Sequence, residues 1–399
     1  MGDDGSRRRF LGAVGTIGAL GLAGCTTGGG GSGGSEGSGS GGESGGSSGS
    51  NGSGSGGGSE SNASNGSGSG NESGGSGSGR SDVNVGMVYA LGGLGDKSFN
   101  DAANRGVQRA AEELGIEFTQ AQPSSESEFA TFQRRFAQSQ NPAYDLICAI
   151  GFLQKGAVEE NAANFSDQNF MIVDETVDAS NVASYAFKEE QGSFQVGHLA
   201  GLMTTRQFSA GGGETTPDQP QVGFVGGVDS PLIRKFQAGY EAGVNYANEN
   251  AEVAVAYVGS FSDPAGGREA AISMYDNGAD VVYHSSGATG AGVFQAAQQN
   301  GRYAIGVDSD QSATEPNFAN VILASMVKRV ERAVFTSIEN VVNDSFSGGE
   351  VTSLGLERNG VEAVYGQQLG PEIPEEVKSA LEESRQGIVN GDISVPTEP

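Results

Sequence analysis

Residues able to do chemistry recur at one kind of place, where an apolar run gives way to a helical period. Phe99 and Asn100 follow the run around Val85, Met87 and Val88, and Gly151-Phe152 follows Tyr144–Ile150. Asp174 follows Phe170–Val173. Further on come Gly226-Gly227-Val228-Asp229, Gly259-Ser260-Phe261, His284-Ser285-Ser286-Gly287 and Gly306-Val307-Asp308-Ser309-Asp310. Carboxylates at such positions accept hydrogen bonds from hydroxyls, an amide reads the heteroatom edge of a ring, and phenyl faces stack on it. The set therefore suits a small polar ligand with a flat part. Taken singly each residue has a plainer use, since an aspartate after a strand often caps a helix and a phenylalanine is often core.

Catalytic chemistry finds little support. The two histidines are His198, inside a helical stretch beside Leu199 and Ala200, and His284, which has no motif to make it a base. The sequence contains no Gly-x-Ser-x-Gly elbow, no His-Glu-x-x-His, no Cys/His metal spacing and no phosphate-binding Gly-x-x-x-x-Gly-Lys loop. The glycines at 92, 93 and 95 are misspaced for a dinucleotide fingerprint. We therefore expect no enzyme and no cofactor.

The elements that position these residues alternate strand and helix. The run from Val83 to Leu114 reads as strand, glycine turn and helix. It is followed by a strand at 116–118, a helix over 126–139, and strands at 144–150, 170–173 and 182–187, with helices at 155–164 and 191–205 between and after them. A Gly/Thr/Pro-rich surface loop at 209–221 interrupts the pattern, which restarts with strands at 222–225, 253–258, 281–283 and 304–307. Helices over 231–248, 268–276 and 290–299 separate these strands. A short strand at 321–324, a long helix over 326–342, a last strand at 361–365 and a surface helix over 374–389 complete the chain. Such an order predicts an α/β protein of two lobes, each a mostly parallel sheet with helices on both faces. Ligands of open parallel sheets bind at the carboxyl ends of the strands, which here would face one cleft. We expect one lobe from 80–206 with about 312–345, the other from 221–308 with about 350–366, and a helix and tail over 370–399.

Composition narrows the setting. The chain has 49 acidic against 22 basic residues, a net charge of −27, and only six of the basic residues are lysines. This argues against a nucleic-acid partner, which needs a basic footprint. It suits a protein working in high salt, where repulsion is screened. Cys148 lies inside the apolar run 146–150 and reads as a buried small side chain. Cys25 has a different setting. Ser6-Arg7-Arg8-Arg9-Phe10-Leu11 resembles a twin-arginine export signal, and the weakly apolar stretch after it is too short to span a bilayer. Leu22-Ala23-Gly24-Cys25 then resembles a lipobox, so residues 1–24 are expected to be a signal peptide and Cys25 the lipidated residue. Residues 25–79 are nearly all Gly, Ser, Asn and Glu, the composition of a disordered tether. As a Gly-rich coil it would reach roughly 40 Å. Its Asn-x-Ser triplets arise from that composition.

Residues 83–366 resemble the basic membrane lipoprotein family, also called purine nucleoside receptor A-like, whose members are substrate-binding proteins of ABC importers. The matching stretches are Gly92-Gly-Leu-Gly-Asp-Lys-Ser-Phe-Asn-Asp101, Gly223–Gly239, Tyr257–Gly266, His284–Ala297, Ile305–Gln311 and Ser325–Val330. The resemblance implies the type I periplasmic-binding fold, its lobes joined by a hinge, and capture of a nucleoside, with a purine as first candidate. Permease and ATPase subunits would be its partners, and a lipid-anchored monomer on the extracellular face its form. Carried onto this sequence, Phe99 would stack on the base and Asn100 bond its edge. Asp174 and Asp308 would take ribose hydroxyls with support from Lys328, and Gly287 would allow close backbone approach. Phe152, Phe261 and Phe194 would be walls, while Asp229 and Asp310 read better as loop or cap residues. Family members often carry an aspartate where Ala90 stands, which bears on base preference. A surface sensor for a nucleoside or sugar-like ligand, uncoupled from transport, would use the same residues.

Overall fold

A computed structural model describes residues 81–399. The signal peptide, Cys25 and the tether expected from the sequence lie outside the described residues.

The first lobe opens with β1 (Asn84–Val88), α1 (Phe99–Leu114), β2 (Glu117–Ala121), α2 (Phe129–Ala137), β3 (Leu146–Ile150), α3 (Lys155–Asn164), β4 (Asn169–Val173) and β5 (Val182–Phe187). Helix α4 (Glu189–Thr204) and a small hairpin, β6 (Ser209–Ala210) with β7 (Gly213–Glu214), lead into the second lobe. There follow β8 (Gln221–Gly226), α5 (Pro231–Ala247), β9 (Glu252–Tyr257), α6 (Pro264–Asp276), β10 (Val281–Ser285), α7 (Gly290–Asn300), β11 (Tyr303–Asp308), the short α8 (Gln311–Thr314) and β12 (Ile322–Lys328). The chain ends with α9 (Val330–Val342), β13 (Val351–Leu354), β14 (Val361–Tyr365) and α10 (Glu375–Asn390).

The sheets are β13-β5-β4-β3-β1-β2 and β14-β12-β11-β10-β8-β9, parallel throughout except where β14 runs against β12. Side chains alternate between faces as a pleated strand requires. On β3, Ile147 and Ala149 pack with Phe129 and Phe136 of α2 and Val158 of α3. The alternate residues Leu146, Cys148 and Ile150 join a larger core with Ala102, Ala103 and Val107 of α1. Cys148 is a buried free thiol, as its apolar surroundings suggest. The larger core continues into the second lobe through Phe224, Tyr240, Tyr283 and Ile305. Both sheets are thus covered on both faces, and the expected α/β architecture is the one found.

Lobe membership differs from the expectation in three places. Helix α4 was expected in the first lobe but packs on α5, β12 and β14 of the second. Its glycines permit this approach: a Cβ at Gly197 would meet the Tyr240 carbonyl, and one at Gly243 of α5 the Phe194 carbonyl. The segment 312–328, expected in lobe one with a strand at 321–324 and a helix from 326, carries the end of α8 and all of β12 in the second lobe, β12 running on to Lys328. Strand β13, expected in lobe two, extends the first sheet beside β5 because Leu354 pairs with Phe187. The loop expected over 209–221 contains the β6–β7 hairpin, held by Tyr303, whose hydroxyl accepts from Ala210 N at 3.0 Å and donates to Gly213 O at 2.6 Å.

The chain therefore crosses between lobes three times, at Lys188, Arg329 and Gly355. The crossings are tied together: Lys188 N donates to Leu354 O at 3.0 Å and Arg329 N to Gly360 O at 2.9 Å. Among the described residues no helix is long and apolar enough to cross a membrane.

Candidate functional site

A cavity opens between the strand ends of the two sheets, the place where open parallel sheets hold small ligands. The first lobe contributes Ala90, Leu91, Asp96, Phe99, Asn100, Phe152 and Asp174 to its lining, and the second Leu232, Phe236, Phe261, Gly287, Asp308 and Lys328.

The loop before α1 is shaped by its own side chains. The Asp96 carboxylate accepts from Ser98 N at 3.0 Å, Asp101 N at 3.1 Å and Asn100 N at 2.8 Å, satisfying N–H groups that a helix start leaves open. Burial pushes its pKa up to about 6 against the opposing effect of those N–H groups. Asn100 accepts from Ala90 N at 2.9 Å and donates to Gly93 O at 3.0 Å and Ala90 O at 3.3 Å. An amide has two hydrogens to donate, and both are engaged within the loop. Asn100 thus lines the cavity but braces the turn; the donor for a ligand edge must come from elsewhere. Phe99, one residue before it, lines the same cavity.

The opposite end of the cavity is a cluster of charges at the inter-lobe crossings. Lys328, the last residue of β12, lies 2.6 Å from Asp174 Oδ2 and 3.3 Å from Glu189 Oε1. The side chains of Lys328, Asp174 and Glu189 are 2 %, 4 % and 0 % exposed, so these pairs are out of water and little screened. Three phenyl rings surround the ammonium, with centroids at 5.0 Å (Phe99), 5.2 Å (Phe187) and 5.5 Å (Phe236), within reach of cation–π attraction. Burial opposes the lysine charge, but Asp174, Glu189 and Asp308 outweigh it and hold its pKa above the ordinary value. Burial raises Asp174 to about 7, the Lys328 charge pulling down and Glu189 and Asp308 pushing up. Asp174 Oδ2 is occupied by Lys328, but Oδ1 is buried and has no hydrogen-bond partner among the described residues. A buried carboxylate oxygen without a donor is costly, and a ligand hydroxyl would supply one. Asp174 and Asp308 both have positive φ, 69° and 63°, which turns the chain sharply at the strand ends.

Asp308 accepts from Ser98 Oγ at 2.6 Å across the cleft, and burial raises its pKa. Ser309 next to it accepts from Arg105 Nη2 at 2.8 Å. On the aromatic side, Phe152 and Phe261 meet edge to face from opposite lobes, their centroids 6.5 Å apart. Gly287 has φ 57°, and a Cβ there would come within 3.2 Å of the Phe261 carbonyl.

Phe99, Asn100, Phe152, Asp174, Phe261, Gly287, Asp308 and Lys328 are therefore all gathered at one cavity. Phe194 is not; it sits inside α4 against His198 and Tyr246. Asp229 pairs with Arg234 and Asp310 caps α8, the loop and cap roles expected of them. His284 lies outside the cavity lining. Its Nε2 faces Gln311 Oε1 at 2.9 Å, an acceptor, so that nitrogen carries the hydrogen, and burial depresses its pKa to about 4. His198 meets Ser384 Oγ at 2.9 Å and is likewise held near 4 by burial. Sequence reasoning missed Asp96, Phe236 and Glu189. Phe236 had a signal, an apolar position one turn along a helix beginning Pro231-Leu232-Ile233. Glu189 had none, since an acidic residue in a first turn reads as a solvated dipole partner.

A family model for PnrA-like ABC transporter substrate-binding proteins matches residues 83–398. The CD4+ T-cell-stimulating antigen of Listeria monocytogenes is 36 % identical over 334 residues, covering 79 % of this chain and 88 % of that protein. The ABC transporter nucleoside-binding protein BmpA of Lactococcus lactis is 30 % identical, covering 76 % of this chain and 86 % of its own. Among solved structures, an ABC transporter solute-binding protein from Aeropyrum pernix superposes with a TM-score of 0.69 at 30 % identity, over 79 % of this chain and 93 % of that one.

Proposed function

The chain belongs to the PnrA-like family of ABC transporter substrate-binding proteins, and from that footing we propose that its inter-lobe cavity captures a nucleoside and delivers it to a membrane permease. The observation that carries this reading is the buried Asp174 carboxylate, with Oδ2 on Lys328 and Oδ1 unpartnered, in a cavity that also presents phenyl rings. Ribose hydroxyls would donate to Asp174 Oδ1 and Asp308 and accept from Lys328, while the base lies against Phe99, with Phe152 and Phe261 as the other walls. Gly287 would let backbone approach the sugar. Asn100 would act by holding the loop. A purine is the first candidate from the family resemblance, but Ala90 contributes no polar side-chain atom beside the base, so no carboxylate at that position would select it.

Capture would close the lobes by bending at the three crossings, and the closed form would dock on permease and ATPase subunits. Export by the twin-arginine route, lipid attachment at Cys25 and the tether of residues 25–79 would hold a monomer at the extracellular face of the membrane. The acidic surface would suit a high-salt medium.

Isothermal titration of the purified protein in molar salt with adenosine, guanosine, inosine, uridine, ribose and xylose tests the reading. Saturable heat with at least one nucleoside, and more with purines than with uridine, is expected. No heat with any nucleoside would overturn it.

A further inference from the structure

Behind the cavity, Glu189 does something that its position in the chain does not suggest. It is the first residue of α4, directly after the Lys188 crossing, and it lies outside the cavity lining. Its two oxygens reach two different ammonium groups: Oε1 is 3.3 Å from Lys328 Nζ, and Oε2 is 2.7 Å from Lys235 Nζ on α5. Lys235 Nζ in turn donates to the carbonyl of Phe187, the last residue of β5, at 2.9 Å, and lies 3.6 Å from Glu190 Oε2. One buried carboxylate thus links the cavity lysine to the backbone of the strand that enters the crossing.

We propose that Glu189 is a positioning residue for ligand capture: it holds the Lys328 ammonium toward the cavity and, through Lys235, fastens that lysine to the inter-lobe crossing. This rests on reading the cavity as a site for a hydroxyl-bearing ligand.

The geometry argues for it in two ways. Lys328 has a four-carbon arm and could turn along several directions; contacts with Asp174 from lobe one and Glu189 from the start of α4 leave it one. Asp174 alone would be a poorer anchor, because it lines the cavity and the same carboxylate is to take a ligand hydroxyl on Oδ1. Glu189, shielded from the ligand, keeps its contact whether the cavity is full or empty. The charged groups near Lys328 are Asp174, Glu189, Asp308 and Lys235, and those near Glu189 are Lys328, Lys235, Asp174, Glu190 and Asp308.

The test uses the whole protein and two variants. Glu189→Gln removes the charge at constant size, and Glu189→Asp keeps it but shortens the arm so that both ammonium groups cannot be spanned. Nucleoside affinity is read by calorimetry and the Lys328 side chain by NMR of lysines labelled at the ε carbon. With six lysines in the chain, the Lys328→Met spectrum assigns the signal. Both variants are expected to weaken nucleoside binding about tenfold or more. The Lys328 signal is expected to move in both, with that of Lys235, while the signals of Lys97, Lys155 and Lys378 stay in place, a pattern that general loosening of the fold would not produce. A folded Glu189→Gln protein with wild-type affinity overturns the proposal. So does a wild-type-like Glu189→Asp, which would mean that charge alone suffices; this variant also decides the matter if the Gln variant does not fold. Should wild-type protein bind no nucleoside, the nucleoside reading fails by itself. The lysine signal then decides: a shift in the variants supports the positioning role, and an unmoved signal overturns it.

Discussion

The two ends of the cavity are built on opposite plans. At the loop before α1, polar side chains turn back on their own backbone: Asn100 braces Ala90 and Gly93, Asp96 braces Ser98, Asn100 and Asp101, and Asp101 accepts from Gly95 and Lys97. At the charged end, the partners come from distant parts of the chain, and Asp174 still has an oxygen to give. The loop spends its polar atoms on shape; the cluster keeps some for a ligand. A polar residue facing a binding cavity is therefore not by that fact a ligand contact. What separates the two kinds is spare hydrogen-bonding capacity.

The strongest way to break this contrast is to remove the cation of the cluster. Lys328→Met leaves Asp174 and Glu189 buried beside one another without it. Breaking a buried pair in this way costs about 3–5 kcal/mol, and nucleoside binding should disappear with it. The loss depends on pH with a definite sign. Asp174 has a folded pKa of about 7 against an ordinary 3.8, so the stability that its proton contributes is full below the lower value and lost as pH rises through the upper. Without Lys328 the carboxyl holds its proton to still higher pH, so the deficit should be smaller at pH 5 than at pH 8. Denaturant unfolding at both pH values measures it.

Much of this contrast could not be read along the chain. The strand ends announced themselves, because apolar β-rich runs stopping at glycine or aspartate are strong local signals, and eight candidate residues did converge on one cavity. The segment Met326-Val327-Lys328 was misread because its apolar residues continue in helical register into Val330 and Val334, and a short buried strand cannot be told from a helix by period alone. Lobe membership failed for α4 and β13 because it depends on which distant partner each element packs against. Glu189 was invisible for the same reason: the lysines that make its burial tolerable stand 46 and 139 residues away.

Aromatic truncation should come next in size. Phe99→Ala removes the face proposed for the base and one of the rings around Lys328. Base stacking on an aromatic ring is worth about 1–3 kcal/mol by alanine substitution, so affinity for every nucleoside should fall while free ribose is less affected. Equal losses for both would mean that the ring acts only through Lys328.

The loop is probed by Asp96→Asn. One oxygen that accepts an N–H becomes an amide that cannot, which should cost about 1–3 kcal/mol of stability. Asp96 has a folded pKa of about 6 against 3.8, so its protonated form stabilises the fold below 3.8 and that contribution is lost as pH rises through 6. Asparagine does not titrate. The gap between wild type and variant should therefore be wider at pH 4 than at pH 7.5, and nucleoside selectivity should not change, because the group shapes the loop without reading the ligand.

Ser98→Ala should have the smallest effect, and it sharpens the contrast most finely because Ser98 joins the two ends. Its hydroxyl donates to Asp308 at 2.6 Å across the cleft, while its carbonyl accepts from Ser309 Oγ at 3.3 Å and is untouched by the substitution. Arg105 to Ser309 and Gln311 to the Lys97 carbonyl also remain. One hydrogen bond among several is worth about 1 kcal/mol, so ligand release should quicken about fivefold, with little change in the association rate. Stopped-flow displacement of a bound nucleoside measures both. If release is unchanged, Asp308 holds its place without the loop, and the two ends of the cavity are independent. If it quickens by orders of magnitude, the hydroxyl is the main closure contact, and the loop would then have to be counted with the ligand-holding side chains of the cluster.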